Sequence, residues 1–261
     1  MRSNIVTLLT DFGTRDPYAG IVKGVILGIN PQANIVDLVH EVDPHDIRQA
    51  GFLLASSAGW FPDGTVHMAV VDPGVGSSRR CIAAQCEHHF YVGPDNGVFT
   101  RVFMYDRPIA IVELRPGNGS ADRNWRVSNT FHGRDVFAPA AACLSKGVPL
   151  ENLGTLVDSY TVDDIDVNVI TDSKVKTFIV HADAFGNLVT CLQRGETDRR
   201  VVYVRAAGIT IPVLDTFSEA EEGGLLAYWG SADYLEIAVN LGSARKSLGL
   251  SIGDPVEAIL G

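Results

Sequence analysis

The segment Ile5–Asn30 (IVTLLTDFGTRDPYAGIVKGVILGIN) decides the fold of this chain. Ile5–Leu9 is a short apolar run that ends in a turn-rich sequence, which predicts a buried strand. Asp16 and Pro17 supply a helix N-cap and a proline at the first helical position, and apolar residues then recur every three or four positions up to Asn30. The segment therefore predicts a strand followed by a helix.

The same alternation continues through the first half of the chain. Ile35–Val39 and Thr65–Val71 predict two more buried strands, with a helix from Asp46 to about Ser57 between them. Short strands over 82–84, 90–92 and 109–112 and a helix over 135–145 complete this half. Because strands that alternate with helices of this length pair in parallel, we expect an α/β N-terminal domain with a largely parallel central sheet over residues 1–165.

The pattern changes after about residue 170. Short β-rich runs are separated by Gly, Asn and Asp turns and cover residues 175–181, 201–204, 209–213, 225–229, 234–239 and 255–260. Regularly spaced short strands are typical of small antiparallel barrels or sandwiches. We expect a smaller all-β, antiparallel barrel-like C-terminal domain over residues 172–261, with residues 148–172 as the junction.

Composition excludes several classes of function. The 261 residues include 21 Lys and Arg against 31 Asp and Glu, a net charge of −10, and no basic stripe that would indicate a nucleic-acid partner. The four cysteines are far apart, which fits neither a zinc site nor a disulfide framework. No apolar run approaches the roughly 20 residues of a membrane span, and the N-terminal run is too short for a signal peptide. We expect a cytoplasmic protein without membrane contact.

Two acidic turns follow predicted parallel strands. Asp11 comes after the first strand and Asp72 after the third, and ligands of such sheets bind beyond the carboxyl ends of the strands. Arg79 lies seven residues after Asp72 across a glycine-containing turn, close enough to face it. An aspartate in this position also caps turns, so each residue alone fits a structural role as well as a site.

The remaining polar motifs are ambiguous. His132 precedes a helix and fits a structural histidine as well as a catalyst. For His40–Asp46 and for His88–His89, a solvated turn is favoured over a metal site. Asp183–Thr190 fits either a structural turn or an aromatic face for a purine or ribose. The chain has no Gly-x-Ser-x-Gly motif and no cysteine in a nucleophile's context, so covalent catalysis is not expected.

A set of motifs in a fixed order resembles a known family. The chain is similar to the S-adenosyl-L-methionine (SAM) hydroxide adenosyltransferases, hydrolytic relatives of the fluorinases and chlorinases. The motifs that carry the resemblance are Thr10–Gly13 with Asp16 and Tyr18, His40–Val42, Val71–Gly76, Gly93–Gly97, Phe131–Asp135, Phe185–Asn187 and Tyr234–Ala238. They run from residue 10 to about residue 240.

The resemblance implies a hydrolase that converts SAM to adenosine and methionine through attack of an activated water at C5′, without a metal or other cofactor. It implies a homotrimer with active sites between subunits. The implied catalytic residues are Asp72, Arg79 and His132. The implied substrate-binding residues are Asp11, Asp183, Phe185, Asn187, Ser231, Glu236 and Val239, with Asp11 at the ribose hydroxyls and Asp183 and Ser231 at the methionine end.

Two alternatives remain open at this point. One is a halide-dependent, chlorinase-like adenosyltransferase on the same scaffold, and the other is a non-catalytic nucleoside-binding sensor. In the halogenating relatives the position of Asp72 carries another residue, and the fluorinase has an inserted loop that the region from Cys81 to Val92 lacks. Both differences favour water as the nucleophile, and the complete set of Asp72, Arg79 and His132 argues against a sensor.

Overall fold

The first strand and helix form as their pattern predicts. Ile5–Thr10 is strand β1, with every side chain after Ile5 buried. Helix α1 spans Tyr18–Ile29 and buries Val22 and Ile26 on one face. The helix begins one residue later than predicted, because Pro17 occupies the N-cap and no side chain caps the first turn.

The computed structural model describes residues 3–115, 126–163 and 168–261. The chain divides into two units, Met1–Asp164 and Ile165–Gly261. The other strands of the first unit are β2 (Asn34–Val39), β3 (Val66–Val70), β4 (Cys81–Cys86), β5 (Phe90–Pro94), β6 (Pro108–Leu114) and β7 (Gly154–Val157). Its other helices are α2 (Ile47–Ala58) and α3 (Ala138–Ser145), and a π-helical turn, Gly133–Phe137, leads into α3.

The sheet of the first unit is mixed, which corrects the prediction of a largely parallel sheet. Its strand order is β2-β1-β3-β5-β4-β6-β7. The pairs β2/β1, β1/β3 and β3/β5 are parallel, whereas β5/β4, β4/β6 and β6/β7 are antiparallel. The reason lies in the connection between β4 and β5: three residues join them, and a parallel crossover needs a dozen or more.

Helices cover both faces of this sheet. Leu8 of β1 packs in the apolar cluster that contains Val22 and Ile26 of α1 and the buried side chains of α3. The neighbouring Leu9 points to the opposite face and packs with Leu54 of α2. Because successive side chains of a strand alternate between faces, one apolar strand supplies both layers of the core.

The region predicted as a junction contains a strand. Within residues 148–172, Gly154–Val157 pairs with β6 as the edge strand β7, and residues 164–167 lie outside the described residues. Gly154 is required at this edge, because a Cβ there would lie 2.0 Å from the carbonyl oxygen of Glu113. Among the helices in the described ranges, none has the length and apolar character that crossing a membrane requires.

The second unit is an antiparallel, nearly closed barrel-like sheet, as predicted. Its strands are β8 (Val169–Ile170), β9 (Lys174–Ala182), β10 (Leu188–Gln193), β11 (Val201–Ala206), β12 (Ile209–Pro212), β13 (Leu225–Trp229), β14 (Tyr234–Val239) and β15 (Pro255–Leu260), with a short helix, α4 (Ala244–Leu248). The order is β12-β11-β15-β9-β10-β14-β13. Leu214 N donates to Ala227 O at 2.8 Å, which brings the chain after β12 to β13. The sequence pattern predicts neither β8, which lies within the predicted junction 148–172, nor β10, whose first residues belong to the Asp183–Thr190 motif.

We expect two glycine substitutions to change stability in opposite directions. Gly93→Ala should lower the free energy of unfolding of the first unit by about 1–3 kcal/mol, because the added Cβ would lie 2.3 Å from the Ala69 carbonyl oxygen of β3. Gly24→Ala is the matched control: it lies in the exposed interior of α1 with no atom within 4 Å, and alanine there should raise stability by about 0.5–1 kcal/mol. Thermal unfolding followed by circular dichroism measures both, and an unchanged melting temperature for Gly93→Ala contradicts the prediction.

Candidate active site

Asp72, Arg79 and His132 form one hydrogen-bonded cluster in the first unit. Arg79 Nε donates to Asp72 Oδ1 at 2.9 Å, and Arg79 Nη2 donates to Asp72 Oδ2, so the two side chains pair through two parallel bonds. Arg79 Nη2 also lies 2.7 Å from His132 Nδ1. The Asp72 and Arg79 side chains are only 6% and 10% exposed. Arg79 therefore links the three residues implied as catalytic in one chain of hydrogen bonds, and the side chains of Asp72 and Arg79 are nearly buried.

The loop between β3 and β4 places Asp72 against Arg79. Asp72 O accepts from Val75 N at 3.2 Å, and Gly74 O accepts from Ser77 N at 3.1 Å, which turns the chain back on itself. Gly76 has a φ of +77°, and a Cβ there would lie 2.3 Å from the carbonyl oxygen of Asn129. Only glycine fits that position, because the loop packs directly on the segment that precedes His132.

Asp135 fixes the segment on which His132 lies. Its side chain is buried and accepts from Ser128 N at 2.7 Å and from Arg134 Nε at 2.6 Å. His132 stands at the start of the π-helical turn, and Phe137 at the end of that turn lies beneath the Arg79 guanidinium, 5.5 Å from ring centroid to Cζ. The Asp135 carboxylate thus ties Ser128 to Arg134, the two ends of the short segment that contains His132.

Burial and the neighbouring guanidinium set the protonation of His132. Burial lowers the pKa of His132, Arg79 lowers it further, and the opposing effects of Asp72 and Asp135 are smaller. Burial alone would lower the pKa of Arg79, but its bonds to Asp72 raise it above the ordinary value. Since a guanidinium only donates, His132 Nδ1 must accept from Arg79, and the proton of the neutral imidazole sits on Nε2.

Cys81 is a member of this cluster that the sequence analysis missed. Arg79 Nη1 donates to Cys81 Sγ at 2.8 Å, and Sγ lies 3.7 Å from His132 Nδ1. Burial raises the pKa of the Cys81 thiol, although Arg79 opposes the rise. The thiol is therefore a neutral packing partner of the guanidinium. The available signal was the spacing of two residues from Arg79 into β4, which puts both side chains on one face of an extended chain.

Asp11 directly follows β1 and precedes an aromatic residue, Phe12. His45 N donates to Asp11 Oδ2 at 3.1 Å, so the carboxylate is held by the turn before α2. The adjacent Phe12 packs against Tyr18 and Phe131, with ring centroids 6.0 Å and 5.8 Å away. This contact joins the loop after β1 to the segment that carries His132. Sequence reasoning did not identify these three rings as a group.

Two histidines predicted to lie in solvated turns are buried. His40 Nδ1 and Thr10 Oγ1 share a hydrogen bond of 2.8 Å. The ring of His89 packs edge-on against that of the buried His67, with centroids 4.9 Å apart. His88 is exposed, as predicted. Sequence alone could not separate these cases, because both buried histidines stand in polar strings. Within residues 3–115, 126–163 and 168–261, no group of three or more His, Cys, Asp or Glu side chains is arranged to hold a metal ion.

Six of the seven implied substrate-binding residues line one cavity of about 720 Å³ in the second unit. They are Asp183, Phe185, Asn187, Ser231, Glu236 and Val239. The seventh, Asp11, belongs to the first unit. Phe217 and Tyr228 also line the cavity, and their rings pack with centroids 4.9 Å apart. The sequence analysis missed both, because their positions in a turn and a strand carry no motif.

A tight turn between β9 and β10 shapes one wall of this cavity. Asp183 Oδ1 accepts from Phe185 N at 2.9 Å and from Asn187 N at 2.8 Å, and Asp183 Oδ2 accepts from Asn187 Nδ2 at 2.8 Å. Gly186 has a φ of +84° and leaves no room for a Cβ beside Ser243. The turn buries Asn187 and leaves the Phe185 ring 80% exposed at the cavity.

Comparison with known proteins identifies the family. The sequence matches the SAM hydroxide adenosyltransferase N-terminal domain over residues 6–154 and the C-terminal domain of the same family over residues 177–257. The chain belongs to the SAM hydroxide adenosyltransferase family. The cluster of Asp72, Arg79 and His132 lies in the part that matches the N-terminal domain, and the cavity lies largely in the part that matches the C-terminal domain.

Relatives in this family carry hydrolase and fluorinase names. The chain is 43% identical to the (R)-S-adenosyl-L-methionine hydrolase of Thermus thermophilus, over 97% of this chain and 99% of the relative. It is 34% identical to the enzyme of the same name from Methanocaldococcus jannaschii, over 98% and 96%. The Nocardia brasiliensis fluorinase is 25% identical, over 100% and 98%. A crystal structure of an uncharacterized conserved protein from Thermotoga maritima matches with a TM-score of 0.89 and 38% identity, over 97% and 98%.

The electrostatics of the cluster predict the titration of His132. We expect its midpoint below 6.5, since burial and the Arg79 charge both disfavour the imidazolium. Arg79→Met removes that charge and should move the midpoint upward. Proton NMR of the imidazole Cε1–H signals measures both values, with the His132 signal assigned by its loss in His132→Gln. A wild-type midpoint at or above 6.5, or a downward shift in Arg79→Met, would contradict this account.

Proposed function

We propose that this protein hydrolyses SAM to adenosine and L-methionine, with water as the nucleophile. The observation that carries the proposal is the bonded cluster of Asp72, Arg79 and His132, which unites a nearly buried carboxylate and cation with a neutral imidazole. The relatives named as hydrolases support it, because they are more similar to this chain than the fluorinases are.

The reaction needs activation of water and little else. The water oxygen bonds to C5′ of the ribose while the C5′–S bond breaks, and the electron pair of that bond stays on sulfur. Methionine leaves as a neutral thioether, so its departure needs no acid. One proton of the water goes to a base, and the other remains on the 5′-hydroxyl of adenosine. The sulfonium charge disappears in this step, so an environment poor in water favours it.

The hydrogen bonds support a separate role for each member of the cluster in this proposal. His132 accepts from Arg79 at Nδ1 and carries its proton on Nε2, so its free edge donates to the water oxygen and orients it. Asp72 accepts the proton of the water, since it is the carboxylate of the cluster. Arg79 fixes the orientation of Asp72 through two bonds. Positioning of this kind, with the oxygen about 3 Å from C5′, supplies much of the acceleration.

The cavity of the second unit binds the substrate in this proposal. Phe185, Asn187 and Val239 contact the nucleoside, and Asp183 and Ser231 lie at the methionine end. Asp11 binds the ribose hydroxyls. The common lining of one cavity supports the first five of these assignments.

The proposal extends to stereochemistry, assembly and location. The names of the hydrolase relatives contain the label (R) in addition to L-methionine. The (R) label refers to the sulfonium sulfur, and we propose the same epimer as the substrate here. We also propose a cytoplasmic homotrimer with active sites between subunits.

Isotope incorporation tests the reaction directly. Incubation with each sulfonium epimer of SAM in ¹⁸O-labelled water should yield adenosine that carries one ¹⁸O atom at the 5′-hydroxyl, with the (R) epimer consumed faster. Mass spectrometry of the adenosine measures this. Added chloride or fluoride should produce no 5′-halo-adenosine. A halogenated product supports the adenosyltransferase alternative, and bound but unchanged SAM supports the sensor.

The control for this experiment is Asp72→Asn. Its amide oxygen still accepts from Arg79, whereas Asp72→Ala would leave a buried guanidinium without its partner, at a cost of about 3–5 kcal/mol. We expect adenosine formation to fall by about 100-fold or more in Asp72→Asn, and circular dichroism at the assay temperature checks that the variant is folded. Full activity in this variant would exclude Asp72 as the base.

Mixing of two inactive variants tests the shared active site. Asp72→Asn disables the cluster, and Ser231→Trp fills the cavity from an exposed position. If each site combines the first unit of one subunit with the second unit of another, co-expression of the two variants should restore about a quarter of wild-type activity, as random mixing leaves one site in four intact. Activity assays of the co-purified mixture measure this. No recovery in a mixed oligomer would place each site within one subunit.

A further inference from the structure

The cavity of the second unit has an unbalanced charge. Two carboxylates, Asp183 and Glu236, line it, and the lining residues that the structure describes include no lysine, arginine or histidine. Partly buried carboxylates without a cation are unfavourable unless a ligand supplies the positive charge. The cavity therefore fits a ligand that is itself cationic at this wall.

The two carboxylates differ in how many of their oxygens already accept a hydrogen bond from the protein. Both oxygens of Asp183 accept hydrogen bonds from Phe185 and Asn187 within the turn. Glu236 Oε2 accepts from Tyr228 OH at 2.5 Å, and no hydrogen bond to Glu236 Oε1 occurs within the part of the chain that the structure describes. Glu236 is therefore the carboxylate with an oxygen available to a ligand.

The backbone holds Glu236 in this position. Tyr228 of β13 and Glu236 of β14 are directly opposite each other in the antiparallel register, so their side chains share one face. Gly230 leaves the space that the carboxylate fills, because a Cβ there would lie 1.9 Å from Glu236 Oε1. The hydrogen bond from Tyr228 thus orients the carboxylate, and the absence of a side chain at Gly230 leaves the space that it needs.

The electrostatics agree with this geometry. Burial raises the pKa of Glu236, the bond from Tyr228 opposes the rise, and the charge of Asp183 adds to it. A cation placed at Oε1 would offset both the cost of burying the charged carboxylate and its repulsion by Asp183.

We propose that Glu236 binds the α-ammonium group of the methionine moiety of SAM and so determines the specificity of the site for an amino-acid tail. This inference rests on the proposed function, since it takes the cavity as the SAM site. An ammonium has three N–H donors and can hydrogen-bond to Oε1, whereas a sulfonium has none. Tyr228 and Gly230 act as positioning residues for the carboxylate.

A substrate analogue tests the assignment. The analogue is the SAM derivative in which hydrogen replaces the α-amino group, so that it keeps the sulfonium and the carboxylate. In the wild type we expect KM for this analogue to exceed KM for SAM by about 10- to 100-fold. In Glu236→Gln, KM for SAM should rise to the level of the analogue, while KM for the analogue and kcat for both stay nearly constant. Tyr228→Phe should give a smaller change in the same direction.

Two controls make the result specific. Adenosine lacks the tail, so its inhibition constant should be the same in Glu236→Gln as in the wild type. Glu257→Gln, a matched change on β15 at the Lys174 ion pair, should leave all these constants unchanged. Equal increases in KM for SAM and the analogue would assign Glu236 to the sulfonium, and weaker adenosine inhibition would assign it to cavity structure. Either outcome overturns the proposal.

Calorimetry separates this proposal from the proposed hydrolysis. SAM and the analogue can be titrated into Asp72→Asn, with and without Glu236→Gln, under conditions in which no turnover occurs. A loss of discrimination in the double variant supports the role of Glu236 even if the wild type forms no adenosine. Equal binding of SAM and the analogue by Asp72→Asn itself would overturn the role of Glu236 even if hydrolysis is found.

Discussion

The ion pair between Asp72 and Arg79 is the interaction on which the first unit's site depends. Arg79 uses one edge of its guanidinium for Asp72, and its remaining N–H groups contact His132 and Cys81. A shielded charge pair is stable only when its hydrogen bonds are satisfied, so these contacts are a condition for the pair as well as a result of it. Burial lowers the pKa of the His132 imidazole, and the cation that orients the carboxylate lowers it further. One arginine thus fixes the geometry of the cluster and adds to the effect of burial on its protonation.

The two units solve the burial of acidic groups in different ways. In the first unit, Asp72 and Asp135 each pair with an arginine, and the charges are balanced within the protein. In the second unit, Asp183 is satisfied by amide donors of its own turn, and Glu236 by a single tyrosine. The ion pairs of the first unit are balanced without a ligand. The carboxylates of the second unit leave an uncompensated negative charge at the cavity wall. That contrast matches the chemistry proposed for each unit: activation of water in one, and binding of a cationic substrate in the other.

Sequence patterns predict the parts of this molecule that depend on local order. Strand β1, helix α1 and the strands of the second unit other than β8 and β10 follow from the spacing of apolar residues. Asp72 and Arg79 can be paired because a glycine turn separates them. The short connection between β4 and β5 was the available signal for their antiparallel pairing, whereas short apolar runs do not reveal the direction of β6 and β7. The contacts of Cys81 with Arg79 and of Tyr228 with Glu236 depend on side-chain orientation and strand register, which no single motif encodes. The burial of His40 and His89 likewise could not be predicted, because both stand in polar stretches of sequence.

The loop that carries Asp72 and Arg79 is attached at both ends to interior strands. Strand β3 lies between β1 and β5, and β4 lies between β5 and β6, so neither anchor is an edge of the sheet. Local fraying begins at edges and chain ends, where few contacts are lost. The strands that anchor this loop therefore do not open as edges do, and hydrogen exchange of amides in β3 and β4 should report the global unfolding of the first unit. The anchors of Asp72 and Arg79 are thus lost only when the sheet itself unfolds.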